Sequence, residues 1–139
     1  MKNIILLLTF ITTISFAANP FDNMRNNTVH TQAVQKQNLK KYFYAKRAAN
    51  QGNVLAQFDL GLMYAKGEGV RKDEKLAFKY FHKAARNNHV EAKFYMGLSF
   101  SQGRGVKKQS QLARYWFKLA LKAGHPKAMD YLASIEKSL

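Results

Sequence analysis

The chain has 139 residues, and 23 Lys and Arg residues against 8 Asp and Glu residues give it a formal net charge of +15. This length fits one ordinary domain, and the absence of cysteine excludes disulfide bonds and a lipoprotein anchor. The charge favours anionic partners such as an acidic protein or an envelope polyanion; the alternative is a basic surface that merely follows the composition of its proteome.

Residues 1–17 have the features of a secretory signal peptide. Lys2 precedes an apolar run, and the small residues Ala17 and Ala18 follow the run as a cleavage site. The alternative is a membrane anchor, but threonines interrupt the run, which falls short of the ~20 apolar residues that a spanning helix needs. We therefore expect cleavage after Ala17 or Ala18 and an exported protein, periplasmic or secreted, with no transmembrane span. Nucleic acid is not an expected partner in those compartments.

The next segment leads into the first predicted helix. Residues 18–34 are rich in asparagine and show no apolar period, which predicts a flexible linker. From Gln35 to Asn50, apolar residues recur at helical spacing beside a basic stripe, which predicts an amphipathic helix. Gly52 follows this helix, as glycine often does just beyond a helix end.

An internal repeat organises the rest of the chain. The pattern Gly-Leu-x-aromatic-x-x-Gly-x-Gly-Val starts at Gly61 and again at Gly97, an offset of 97 − 61 = 36 residues. A period between about 20 and 50 residues is typical of a supersecondary unit stacked on itself. We predict six helices, arranged as a half repeat at 35–52, full repeats at 53–88 and 89–124, and a capping helix at 125–139.

Each full repeat predicts two helices, here named A and B, joined by a glycine turn. The A helices, near residues 54–66 and 90–101, are apolar on nearly every side and cannot be ordinary surface helices. The B helices, near residues 74–87 and from Ser110 onwards, carry an apolar face opposite a basic one. Asp73 is a good N-cap for the first B helix.

The last helix departs from the repeat. Positions that are aromatic or apolar in both A helices become polar in the final copy, which is typical of a capping helix with one water-facing side. The sets are Phe58, Phe94 and Asp130; Leu62, Leu98 and Ser134; and Tyr64, Phe100 and Glu136.

This pattern resembles the Sel-1-like repeat, a relative of the tetratricopeptide repeat with about 36 residues per unit. The resemblance covers Tyr42 to Leu139, and it departs from the family pattern at Asn88, Gln109 and Arg114. The residues that carry it in the first copy are Ala56, Leu60, Gly61, Tyr64, Gly67, Gly69, Val70, Asp73, Ala77, Tyr80, Phe81, Lys83, Ala84 and Ala85.

The resemblance implies an all-α, short right-handed α-solenoid of antiparallel helix pairs whose A helices line a concave face. It also implies an adaptor or scaffold that binds other proteins, in the manner of envelope scaffolds, virulence factors or toxin-immunity proteins. A peptidoglycan or β-lactam hydrolase is a remote alternative that rests on the resemblance alone.

Catalytic chemistry is not expected from the residues themselves. No two of the eight carboxylates make a convincing acid and base pair, and the four histidines lack the spacing of a metal site. We therefore expect no enzyme, no cofactor and no metal.

Two surfaces compete for the function. The first is the concave face, where an exposed apolar stripe would mark a partner site; the alternative is that Phe58 and Phe94 pack in the core. Its predicted residues are Phe58, Leu62, Lys66, Glu91, Phe94, Leu98 and Gln102.

The second surface is the basic outer side of the B helices, which is the candidate for binding envelope polyanions; the alternative is a solvated face without a ligand. Its residues are Lys75, Lys79, Lys83, Arg86, Lys118 and Lys122. Our leading hypothesis is an exported, non-enzymatic protein that binds a protein partner through the concave face. Its positive charge would aid the capture of an acidic partner.

Overall fold

The computed structural model describes the backbone of residues 20–137 and the side chains of residues 28–137. Over this range the chain is all α-helical, and the predicted six helices are confirmed. Their bounds are α1 Pro20–Asn50, α2 Val54–Lys66, α3 Glu74–Arg86, α4 Val90–Gln102, α5 Ser110–Lys122 and α6 Ala128–Glu136. No helix within residues 20–137 combines the length and the hydropathy that crossing a lipid bilayer requires.

Helix α1 begins earlier than the sequence predicts. It starts at Pro20 rather than near Gln35, so most of the segment predicted to be a flexible linker is helical. Proline suits the first helical position, and neither glycine nor proline occurs between Phe21 and Gln51 to end the helix. The predicted signal peptide, residues 1–17, lies outside the described residues. The compact unit that contains the repeats starts at Gln35.

The repeat unit is a solenoid of antiparallel helix pairs. The A helix α2 packs against the B helix α3, and α4 packs against α5 in the same way. Contacts from α3 to α4 and from α5 to α6 continue the stack. The core lies between the A and B helices, and its four large, fully buried side chains are Leu60, Met63, Met96 and Phe117.

The predicted ends of the helices are set by local hydrogen bonds. Asp73 Oδ1 accepts the backbone N–H of Lys75 and Leu76, which confirms this N-cap of α3. Gln109 stands at the same position before α5 and makes no side-chain cap bond. The C-caps of the A helices are Gly67 and Gly103, the first glycine of each predicted turn.

Candidate functional site

The A helices share one partly exposed surface, whose apolar members Leu62, Tyr95 and Leu98 also pack against the core. In α2 its members recur at spacings of four, three and four residues, which is one side of a helix. The same positions recur 36 residues later in α4, and again at Lys127, just before α6, and within α6. This surface, named here the A-helix face, comprises Leu55, Asp59, Leu62, Lys66, Glu91, Tyr95, Leu98, Gln102, Lys127, Tyr131 and Ser134.

Five of the seven residues predicted for the concave site lie on this face. Lys66, Glu91 and Gln102 are exposed, and Leu62 and Leu98 are half-buried. The other two, Phe58 and Phe94, do not lie on it.

Phe94 is a core residue, so its prediction as a partner-binding residue is wrong. Its side chain is only 6% exposed. The ring stacks on His125 with the centroids 4.0 Å apart, and it also contacts Phe117 at 5.5 Å and Tyr131 at 5.1 Å. Because these rings and that of Tyr95 enclose it, Phe94 cannot meet a partner.

Phe58 occupies the same environment one repeat earlier. Its ring centroid lies 5.7 Å from that of Phe81, 4.6 Å from His89 and 5.3 Å from Tyr95. Each of these three partners is 36 residues before the corresponding partner of Phe94. The two phenylalanines therefore seal the junctions between successive repeats, which is the core alternative considered for them above.

Six residues of the A-helix face were missed by the sequence reasoning: Leu55, Asp59, Tyr95, Lys127, Tyr131 and Ser134. Leu55 is 66% exposed and Tyr131 is 37% exposed, which makes them prominent apolar groups on this surface. The sequence contained a pattern that could have predicted them. Leu55 and Asp59 precede Leu62 by seven and three residues on the same side of α2, and Tyr95 and Tyr131 are separated by the repeat offset.

A buried histidine links the A-helix face to the last inter-repeat turn. The side chain of His125 is 2% exposed, and its Nε2 lies 3.4 Å from Glu91 Oε1. Its Nδ1 accepts the backbone N–H of Lys127 at 3.3 Å. With Nδ1 occupied as an acceptor, Nε2 is the ring nitrogen that faces the carboxylate of Glu91. This contact ties α4 to the segment before α6.

His89 holds the equivalent turn one repeat earlier. Its Nδ1 accepts the backbone N–H of Ala92 at 3.1 Å and so caps α4. Burial lowers the pKa of His89, and the nearby carboxylates of Glu91 and Asp59 oppose that shift only in part. The imidazole is therefore held in its neutral form, which is the form that the cap requires.

The six residues predicted for the basic surface are all exposed on the B helices α3 and α5, as expected. Within residues 28–137 none of the six pairs with a carboxylate. Lys83 Nζ lies 5.5 Å from the centre of the Tyr80 ring. The surface thus keeps an uncompensated positive charge.

Residues 20–137 contain no group of three histidine, aspartate or glutamate side chains that could hold a metal ion.

Comparison with known proteins agrees with the geometry. A family model for the Sel1 repeat matches residues 42–53, 54–89 and 90–125. The crystal structure of a Sel1 repeat protein from Oxalobacter formigenes is similar, with 36% identity over 66% of this chain and a TM-score of 0.63. A protective antigen of uropathogenic Escherichia coli strains with an SLR fold shows 30% identity over 70% of this chain and a TM-score of 0.68.

Cysteine-rich protein B of Helicobacter pylori is 27% identical over 64% of this chain and 67% of its own length, with a TM-score of 0.61. The chain spans only 36% of the Oxalobacter protein and 21% of the Escherichia coli antigen. A search of curated proteins gave no match.

Proposed function

Because the Sel1 repeat model matches more than half of its residues, the chain belongs to the Sel1-repeat family, and we propose that it binds a protein partner through the A-helix face. Proteins of this family generally mediate protein–protein interactions. They are typically non-catalytic scaffolds, which supports a role that requires no chemistry.

The observation that carries this proposal is the row of exposed and half-exposed apolar side chains on consecutive A helices. These side chains share one side of the stack: Leu55 and Leu62 on α2, Tyr95 and Leu98 on α4, and Tyr131 on α6. Apolar groups repeated on neighbouring helices and bordered by charged residues form a surface suited to a peptide or a helix. The flanking charges include Asp59, Glu91, Lys66 and Lys127.

We propose that the protein is exported to the periplasm or beyond, because residues 1–17 have the features of a signal peptide. An envelope scaffold, a virulence-related adaptor and a toxin-immunity protein all fit an exported binding module.

Site-specific photocrosslinking tests the face. A photoreactive amino acid would replace Leu55 or Tyr131 on the A-helix face, and Lys79 on the B helix would serve as the control position. All three side chains are exposed, but the Tyr131 ring also packs on Phe94 and Phe117, so circular dichroism must first show that each replacement keeps the helical content. We expect the first two positions to crosslink one common protein in the envelope fraction, and Lys79 to crosslink none. Equal crosslinking at Lys79, or none at Leu55 and Tyr131, would refute the proposal.

A second candidate function is the binding of envelope polyanions by the basic surface of α3 and α5. It is supported by the six exposed cations without carboxylate partners. Such binding would weaken steeply between about 50 mM and 500 mM salt, because counterion screening removes the attraction. Binding through the apolar A-helix face would change little over the same range, so a salt series separates the two functions.

A further inference from the structure

A cleft of about 530 Å³ lies where the C-terminal ends of α1 and α3 meet the first turn of α2. Asn50, Gln57, Lys83, Arg86 and Asn87 are the polar and charged residues that line it. We name it the amide cleft. It uses no residue of the A-helix face, so the inference below stands independently of the proposed function.

The base of the amide cleft is a fixed network of side-chain amides. Gln57 is only 6% exposed, and its Nε2 donates to the carbonyl oxygen of Ala49 at 3.4 Å. Asn87 Nδ2 donates to Gln57 Oε1 at 3.3 Å and to the carbonyl oxygen of Lys83 at 3.1 Å. These bonds join α1, α2 and the end of α3, so the amides are positioned before any ligand arrives.

The wall of the cleft is positively charged. Lys83 and Arg86 are three residues apart on α3 and therefore lie on the same side of that helix. No Asp or Glu lines the cleft, and neither cation pairs with a carboxylate within residues 28–137. The ring of Tyr80, 5.5 Å from Lys83 Nζ, helps to place the ammonium group.

The repeat supplies an internal comparison, because the junction of α3, α4 and α5 packs in the same way. There the positions of Gln57, Lys83 and Asn87 are taken by Lys93, Leu119 and Ala123. The second junction therefore forms without an amide base and without the equivalent of Lys83. Stacking of the repeats therefore does not require the amide base or Lys83, whereas the position of Arg86 keeps a cation, Lys122.

We propose that the amide cleft binds an acidic segment of a polypeptide. Lys83 and Arg86 pair with its carboxylates, and the guanidinium of Arg86 offers the two parallel N–H groups that a carboxylate accepts. Asn50 binds its peptide groups, since an amide side chain both donates and accepts hydrogen bonds as a peptide group does. Asn87 already donates both of its N–H groups within the network, so it accepts a peptide N–H through Oδ1. A peptide N–H can donate to the amide oxygens of Asn50 and Asn87, whereas the ionised oxygens of a phosphate can only accept.

Fluorescence anisotropy with a fluorescein-labelled Gly-Glu-Asp-Glu-Gly peptide at about 50 mM salt tests this proposal, because low salt preserves charge pairing. The test variant is Lys83→Gln with Arg86→Gln. The matched control is Lys75→Gln with Lys79→Gln, which removes the same charge from the same helix outside the cleft. We expect affinity to fall about tenfold or more in the first and less than about twofold in the second. All four side chains are exposed, so both variants should keep the wild-type circular dichroism.

Equal weakening in the two variants would show that only the overall charge attracts the peptide, and no binding to the wild type would be equally decisive against the cleft. The side-chain amide NMR signals of Gln57 and Asn87 should shift on addition of the peptide; unchanged signals would overturn the location. Displacement of the peptide by inorganic phosphate at similar concentration would reassign the cleft to phosphate. Leu55→Glu, on the A-helix face, should bind the peptide normally, which keeps a failure here distinct from a failure of the proposed function.

Discussion

Gly61 of α2 lies directly against the ring of Phe81 in α3. A methyl group added at Gly61 would be 2.6 Å from the Cδ1 and Cε1 atoms of that ring. Gly97 and Phe117 repeat the relationship 36 residues later, at 2.5 Å. The missing side chain lets the A and B helices of one pair approach closely enough for a phenylalanine to fill the space between them.

Gly97→Ala should therefore destabilise the protein although alanine is the better helix former. The Phe117 ring is fully buried and cannot move aside. Overpacking a core costs about 1–3 kcal/mol, and the higher helix propensity of alanine offsets about 1 kcal/mol of it. Urea unfolding followed by circular dichroism measures the difference. Adding Phe117→Leu should restore room, so the double variant should lose less stability than the sum of the two single variants; a stabilising Gly97→Ala would contradict the account.

Gly105→Ala should be more damaging than Gly124→Ala, although both glycines have a positive φ, 69° and 87°. A methyl group at Gly105 would overlap the carbonyl oxygen of Glu74 at the start of the previous B helix, whereas nothing lies within 4 Å at Gly124. The left-handed conformation alone costs a non-glycine residue about 1–2 kcal/mol, so the Gly105 variant should lose more than that.

The control for this comparison is Gly124→Asn. Asn88 occupies the same repeat position with a φ of 63°, so asparagine is already tolerated there. We expect this variant to unfold at a urea concentration close to that of the wild type. Equal stability of Gly105→Ala and Gly124→Ala would show that the contact with Glu74 does not constrain the turn.

The repeat period predicted most of this fold because it is a property of the chain alone. Equivalent residues in successive repeats must have equivalent surroundings. The glycine turns and caps therefore predicted the helices from α2 onwards. Helix α2, for example, begins and ends where predicted. The early start of α1 was missed because residues 18–34 lie outside the repeat and show no apolar period. A segment that is rich in asparagine but lacks glycine can still be helical when it leads directly into a helix that is predicted to follow it.

The partner surface was predicted less well, and Phe58 shows why. Its place on the helical wheel is compatible with either a groove or a core. The choice depends on whether Tyr95 and His89 of the next repeat cover its ring, which they do at 5.3 Å and 4.6 Å. A helical wheel describes one helix and cannot report a neighbour. The recurrence of the whole set 36 residues later was the available signal.

Acidification should weaken the fold through His89. Burial lowers the pKa of His89 in the folded state, so between that pKa and the unfolded value of about 6.5 the unfolded chain binds the proton and the folded chain does not. Protonation of His89 therefore does not reduce the free energy of unfolding above about pH 6.5, and it reduces it increasingly as the pH falls below that value. Urea unfolding at several pH values would show this, and NMR titration of the imidazole would give the folded pKa.

The matched variant is His89→Asn. Asn53 holds the same repeat position and accepts the backbone N–H of Ala56 at 2.9 Å, so asparagine can keep the cap without titrating. The variant also loses the stacking of the imidazole on Phe58, and the stability lost in this way does not depend on pH. The stability difference between wild type and variant should therefore shrink as the pH falls. A constant difference from neutral to acidic pH would mean that His89 protonates as readily in the folded chain as in the unfolded one.

The hydroxyl groups of Tyr42 and Tyr64, 3.0 Å apart, should show strong energetic coupling. Both side chains are buried, and burial raises the pKa of Tyr64, so its hydroxyl stays protonated and needs a partner. Tyr42→Phe leaves that hydroxyl without this bond, which should cost about 1–3 kcal/mol.

The equivalent contact one repeat later shows what removing the hydroxyls of Tyr42 and Tyr64 would do. There the equivalent rings are Phe78 and Phe100, which meet at an interplanar angle of 90° where Tyr42 and Tyr64 meet at 89°. The ring geometry therefore does not need the hydroxyls. We expect Tyr42→Phe with Tyr64→Phe to be more stable than either single variant, because no buried hydroxyl remains unpaired. A double-mutant cycle by urea unfolding measures this coupling, and additive losses would mean that water already satisfies both hydroxyls.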